Sequence, residues 1–428
     1  MSATWGRIVI KPVGHPIGGL RHVCGGLMSQ EMTYGKLVEA CSPGGASVLT
    51  CVTDLAPAAG PHAAVAPARY VSGNNASYAF QTRFVDGQAM STALIDSKSS
   101  QLNRVELALA DAIRDGDPLL GRTPHLVVHY PDQEVADYEL PHRVFDGHVR
   151  AGSVDGRPVT DHPVYRAARD ATPGNARALL ELSPVSLVLG SWDSTRRAHQ
   201  GRYRSALVGE IIGVLADQSD SGRDIPRRGG ARRDEVAPSV RVSPKDLEML
   251  VDAQQDELSP KNVEALRRTA QKAKAGTTVS AAALGLGSIP PALETLGLVA
   301  CRQIIRSHVL SFSSLRQLRF GGDLDADVAC RSLLAALALA ALVRSNEELL
   351  LRADCDLVEA SAPAFSLDLR NGQGEKLDRL DRAVADELLG AAIERAEKQA
   401  GIRWEGQVFD VVGNPIVHGG VIEGEEEA

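Results

Sequence analysis

The run Leu333–Val343, LLAALALAALV, offers no polar face at any periodicity. A helix that is apolar all round must be covered all round, and this run is shorter than the roughly 20 apolar residues that span a bilayer. It predicts an Ala/Leu helix over 326–344 buried inside the protein. The first residues, MSATWGRIVIKPVG, lack the hydrophobic core of a signal peptide. The expectation is a cytoplasmic protein that makes no contact with a membrane.

At 428 residues the chain exceeds one average domain, although a single domain elaborated by insertions fits as well. RIVI (7–10), the YGKLV region and VLTCVT read as strands of an N-terminal unit with long loops over 1–66. A core over 67–345 follows, then an acidic strand-helix-strand part over 346–428 packed on it. Within the core, SYAFQTRF and MSTALID flank Asp86-Gly87, the signal for a hairpin. Leu102, Val105, Leu109 and Ile113 share one helix face, and HLVVHY (125–130) reads as a strand. The segment 141–173 is polar and turn-rich, as expected of a protruding excursion. After Val208 a helix and a strand compete. Residues 216–245 carry the signals of a mobile basic insertion, and helices are expected over 243–257 and 260–274.

Charge is unevenly spread. The formal net charge is −8, yet residues 196–233 hold nine Arg against four acids, a local +5, and residues 371–428 hold thirteen acids against six bases, a local −7. Aromatic residues make up only 4% of the chain, so a nucleic-acid partner would be held mainly through its phosphates.

Cations gather at several places. In LIDSKSSQLNR, Lys98 and Arg104 adjoin a helix N-terminus that is already positive, an unfavourable placement unless an anion joins them. Capping by Asn103 with Glu106, or by Ser99 and Ser100, explains the polar residues but not the cations. Ser97, Ser100, Gln101 and Asn103 would add side-chain donors to a phosphate cradle. Trp192, Ser194, Thr195, Arg196 and Arg197 follow a strand end, with Arg202 and Arg204 close behind. Arg302, Arg306 and His308 share one face of a strand, and Arg316 and Arg319 lie on the short helix after it. Arg143, Arg150 and Arg157 belong to the 141–173 segment, and Arg227, Arg228, Arg232 and Arg233 to the basic insertion.

Catalytic signatures are sparse. The chain holds neither GxxxxGK[ST] nor GxGxxG, and Gly190-Ser191-Trp192-Asp193 lacks the spacing of a nucleophile elbow. The six cysteines are scattered without a CxxC pair and read as reduced core residues. His125 and His129 fall on one strand face, and His142, His148 and His162 lie in the polar segment. No metal, cofactor or catalytic residue is expected.

Five blocks, LIDSKSSQLNRVE, ELPHRVFDGHV, LSPVSLVLGSWDS, LGLGSIPPAL and RSHVLSFSSLRQLRF, resemble in this order the backbone RAMP subunit of type I-U, now I-G, CRISPR surveillance complexes. The resemblance runs from about Arg69 to residue 355. It implies an α+β fold: a modified RRM or ferredoxin-like antiparallel sheet with helices on one side and finger and thumb insertions. It also implies a non-catalytic subunit that polymerises in a helical filament along a CRISPR guide RNA, supports recognition of target DNA and meets other subunits of the complex. In that frame Ser97, Lys98, Ser100, Gln101, Asn103, Arg104, Arg143, Trp192, Ser194, Thr195, Arg196, Arg197, Arg202, Arg204, Arg302, Arg306, His308, Arg316 and Arg319 contact guide RNA. The segment 141–173 becomes a thumb candidate, and Arg227, Arg228, Arg232 and Arg233 a target-strand contact. The rival readings are an RNA-cleaving subunit of the type III kind, with Asp96 or Asp193 as the group to test, and a protein-only scaffold.

Overall fold

The computed structural model describes residues 30–72, 75–196, 200–219, 239–274, 276–287 and 297–418. The protein is a mixed α+β structure built on one large antiparallel sheet. Its principal elements are α1 (Tyr34–Cys41), β1 (Val48–Pro57), β2 (Phe80–Val85), β3 (Gln88–Asp96), α2 (Lys98–Arg114), β4 (His125–His129), β5 (Leu207–Leu215), β6 (Cys301–Ser311), α3 (Leu324–Glu347), β7 (Ala364–Arg370), β8 (Gln373–Lys376), α4 (Arg382–Ala400) and β9 (Val408–Val412). The sheet runs β8-β7-β1-β6-β5-β3-β2, and Leu357–Glu359 pairs with the end of β1.

Period-two patterning sets which face is covered. In β1, Leu49, Cys51, Thr53 and Leu55 are buried, whereas Val52 and Asp54 face out. Leu49, Cys51, Leu207, Leu310, Phe365 and Leu367 join the residues of α1, α2, α3 and α4 in one hydrophobic core. The opposite sheet face, with Thr50, Val208, Glu210, Ser307 and Val309, is left half-open. At the centre of the covered side lies α3, which packs against α1, α2 and α4. This helix is long and apolar enough to cross a membrane, and its apolar window is wholly buried within the protein.

Local signals hold in several places. Asp86 and Gly87 adopt φ of 49° and 77° and join β2 to β3 with Val85 opposite Gln88. Alternation prevails after Val208, because β5 pairs on both edges and every second side chain enters the core. The expected helices are found at Pro244–Ala253 and Pro260–Lys272. They pack on each other through Leu247, Val251, Leu266 and Ala270 in a cluster separate from the main core.

Other expectations are corrected. YGKLV forms helix α1 rather than a strand, since Thr33 caps it and Leu37, Ala40 and Cys41 form its buried face. Within the expected N-terminal unit, β1 is a strand of the main sheet, pairing with both β6 and β7. Strands β7 and β8 of the acidic C-terminal part extend the same sheet, and β9 pairs in parallel with β4. The segment 141–173 does not protrude, because Val144, Phe145, Val149, Val159, Tyr165 and Ala168 are buried in the main core. Its helices are one or two turns long, too short to print a helical period on the sequence. The RIVI strand and most of the basic insertion lie outside the described residues.

Candidate nucleic-acid interface

Strand β3 ends on Asp96, and Ser97 caps α2 by accepting a hydrogen bond from Ser100 N, so the helix starts earlier than an Asn103 cap would place it. The anion that Arg104 requires is Asp96 itself. This carboxylate is wholly buried, lies 3.1 Å from Arg104 Nε and 2.6 Å from Arg352, and accepts from Ser100 at 2.9 Å and Gln101 at 2.6 Å. Burial would raise its pKa, but these donors together hold it below the usual carboxylate range. Arg104, Ser100 and Gln101 are thus engaged inside the protein. Lys98 and Asn103 remain exposed, and Ser97 is half-buried.

The basic face of β6 is likewise internal. Arg306 and His308 are 1% and 2% exposed, and Arg306 pairs with Glu359. Burial, with Arg306 beside it, pushes the His308 imidazole down to about 3, so the ring is neutral. Arg302, near the start of the strand, is exposed. Arg316 donates to the carbonyls of Ala40 and Ala46, tying the α1–β1 turn to the end of β6, and Arg319 pairs with Asp327 at 3.2 Å. Arg196 pairs with Asp170 at 2.9 Å, while Thr195 accepts from Arg150 and Ser194 is exposed. Buried Arg143 pairs with Glu106 at 2.6 Å and donates to the Gly190 carbonyl. Arg197, Arg227, Arg228, Arg232 and Arg233 lie outside the described residues.

Of the exposed candidates, Asn103, Trp192, Arg202 and Arg204 line one groove, whereas Lys98, Ser194 and Arg302 lie outside its lining. The short ladder Ser191–Trp192 with Arg202–Tyr203 forms its wall. On one side of that wall a cavity of 710 Å³ is lined by Ser99, Asn103, His142, Arg143, Trp192, Arg202, Arg204 and Ser205, among others. On the other side a cavity of 380 Å³ shares Arg202, Tyr203 and Arg204 and reaches Ser311, Ser313, Ser314 and Gln317. Neither lining contains an Asp or a Glu. Arg202 and Arg204 are exposed, and among the described residues no carboxylate pairs with either. Trp192 is 48% exposed, with the Arg202 guanidinium 5.1 Å from its ring centroid, a cation–π contact.

The ladder is rigidly seated. Gly190 has φ of +84°, and a Cβ there would meet Ser205 N at 2.7 Å, so the turn requires glycine. Ser191 Oγ donates to the Ser186 carbonyl at 3.0 Å, and Asp193 N donates to the Gly201 carbonyl at 2.9 Å. Tyr203 stacks on Phe145 with centroids 6.4 Å apart. The structure therefore brings together Asn103, Arg143, Trp192, Arg202 and Arg204. The Ser311–Gln317 side of the groove escaped the sequence reading, because its polar residues resemble ordinary caps; Ser311 is indeed the cap of the helix Phe312–Leu315.

Such a surface suits a phosphodiester chain: paired guanidinium groups, hydroxyl and amide donors, and no competing anion. Among the described residues no group of three or more His, Cys, Asp and Glu is arranged to hold a metal ion. No curated protein matches the chain. Residues 49–218, which span β1 to the end of β5 and include Asn103, Trp192, Arg202 and Arg204, match the family described as CRISPR-associated protein GSU0053, which supports a CRISPR-associated role for this chain.

Proposed function

We propose that this chain is a non-catalytic backbone subunit of a CRISPR surveillance complex of type I-G, holding the guide RNA by its phosphates. The observation that carries the reading is the acid-free groove, in which Arg202, Arg204 and Asn103 are exposed and, among the described residues, no carboxylate pairs with either arginine, inside the family-matched region. Taken without the intervening β2, β3 and β4, the elements β1, α2, β5, β6, α3 and β7 with spatial order β7-β1-β6-β5 support a β-α-β-β-α-β, ferredoxin-like reading of the sheet. The half-open sheet face carries Thr50, Val52, Asp54, Val208, Glu210, Ser307 and Val309 and no ring on these four strands. RNA stacking on the sheet itself therefore has little support, and the groove beside it has more.

In this reading, copies assemble head to tail along the guide, and base pairing with target DNA supplies the sequence specificity. An RNA-cleaving reading has less support. Asp96 is saturated by arginines, and Asp193 is 1% exposed with Arg150 and Arg196 each 3.7 Å away.

The test is binding of single-stranded RNA to the purified chain as salt is varied. Each single-strand phosphate contact contributes about 0.7 to the slope of log K against log salt, so the double variant R202A/R204A lowers that slope by about 1.4. Salt-independent binding, or an unchanged slope in the variant, overturns the proposal.

A further inference from the structure

We infer that Trp192 is a stacking platform for one unpaired nucleobase, so that the groove takes a single strand with a base turned onto the protein rather than a smooth duplex backbone. The inference rests on the RNA-binding reading above and goes a step further, from phosphate to base. A tryptophan 48% exposed on a well-seated ladder contributes less to folding than a buried one, and the described residues leave its outer surface uncovered. Arg202 braces the ring at 5.1 Å. An indole with a guanidinium against it and a phosphate-compatible groove beside it is the combination by which single strands are held without sequence preference.

A second observation points into the same groove. Tyr203 is 6% exposed and lines both cavities, yet its hydroxyl is buried with no hydrogen-bond partner among the described residues. Burial pushes this phenol up to about 12, so it is a neutral O–H donor. A buried hydroxyl left unsatisfied is unfavourable, and a turn of the ring that brings the O–H to the groove wall, where an acceptor on a bound nucleotide meets it, relieves that cost. The 710 Å³ of the cavity beneath Asn103 and Trp192 falls in the size range of small-ligand sites, enough for one base and its sugar.

The experiment compares the intact chain with W192A, W192F and Y203F, using a fluorescently labelled twelve-nucleotide uridine RNA. Losing one base–aromatic stack predicts binding about 5- to 150-fold weaker in W192A at an unchanged salt slope, with most of the affinity kept in W192F. Y203F weakens binding less. Abasic substitution throughout the oligonucleotide should remove the difference between wild type and W192A. Salt-dependent RNA binding that W192A leaves intact overturns the stacking inference alone. Loss of self-association in W192A with RNA affinity retained also overturns it, and assigns the ring to a protein contact. Absence of RNA binding by the wild type removes the phosphate reading and this inference together.

Discussion

Arg104 reaches back from the second turn of α2 to place its Nε 3.1 Å from the Asp96 carboxylate. Arg352, from the segment after α3, meets the other carboxylate oxygen at 2.6 Å. The pair joins the end of β3, the start of α2 and the segment that follows α3, so the charge that looked like half of a ligand site is an internal strut. Removing one partner of a buried ion pair costs about 3–5 kcal/mol. We expect D96A to lose stability on that scale in urea unfolding, with R104A losing less because its side chain is 21% exposed and partly screened. R104A should leave the salt slope of RNA binding unchanged. A slope reduced by R104A as much as by an Arg202 substitution would place Arg104 on the RNA.

The same strut has a pH signature. The folded Asp96 carboxyl titrates below its ordinary value, which is about 3.9 in an unfolded chain. Its contribution is therefore present above about pH 4 and fades as pH falls through the folded value. D96N should unfold at lower urea than wild type near pH 7, with the gap narrowing under acid. A constant gap down to the lowest pH at which the protein folds would contradict the assignment.

How much of this was legible in the sequence depends on the range of the signal. Asp86-Gly87, the buried face of α2 and the apolar run in α3 are read from neighbours within a few residues, and the structure agrees with them. Period two correctly placed Arg306 and His308 on one strand face, but periodicity says nothing about which face is covered. The core lies on that side because Leu49, Leu207 and Phe365 come together from distant parts of the chain. The counter-ions obey the same logic. Glu359 lies 53 residues from Arg306 and Arg352 lies 256 from Asp96, so neither could be paired from sequence alone. Trp192 and Arg202, ten positions apart on a two-residue ladder, were within reach.

His308 gives a second pH dependence of opposite origin. It faces Gly209 across the β5–β6 ladder, where a Cβ would meet its ring at 2.1 Å, and both ring nitrogens are buried with no hydrogen-bond partner among the described residues. The folded ring titrates at about 3 and an unfolded one near 6.5. Below that pH the unfolded chain takes up a proton that the fold refuses, so stability falls as pH drops from about 6.5 towards 3. H308L should flatten this part of the pH–stability curve. G209A should lower stability at every pH, because the added methyl competes with the ring for the same space. A wild-type curve level between pH 6.5 and 4 would show that the ring is protonated in the fold.

Helix α3 ends in Glu347, with Glu348 as the residue that closes it. Both are exposed, and both line a cavity that also holds Asp111, Asp115, Asp117 and the exposed Leu350, with Arg104, Arg344 and Arg382 as its cations. Carboxylates at a helix C-terminus oppose the macrodipole, so the isolated subunit is less stable for having them. If the chain assembles head to tail, as proposed above, a cationic surface of the neighbouring copy offsets that penalty. The double variant E347K/E348K should therefore stabilise the lone subunit by roughly 0.3–1 kcal/mol per position, read as a raised urea midpoint. It should also weaken RNA-dependent self-association, read by sedimentation at low salt, where exposed charges are least screened. A variant that is more stable and still assembles fully would move the interface away from this acidic rim.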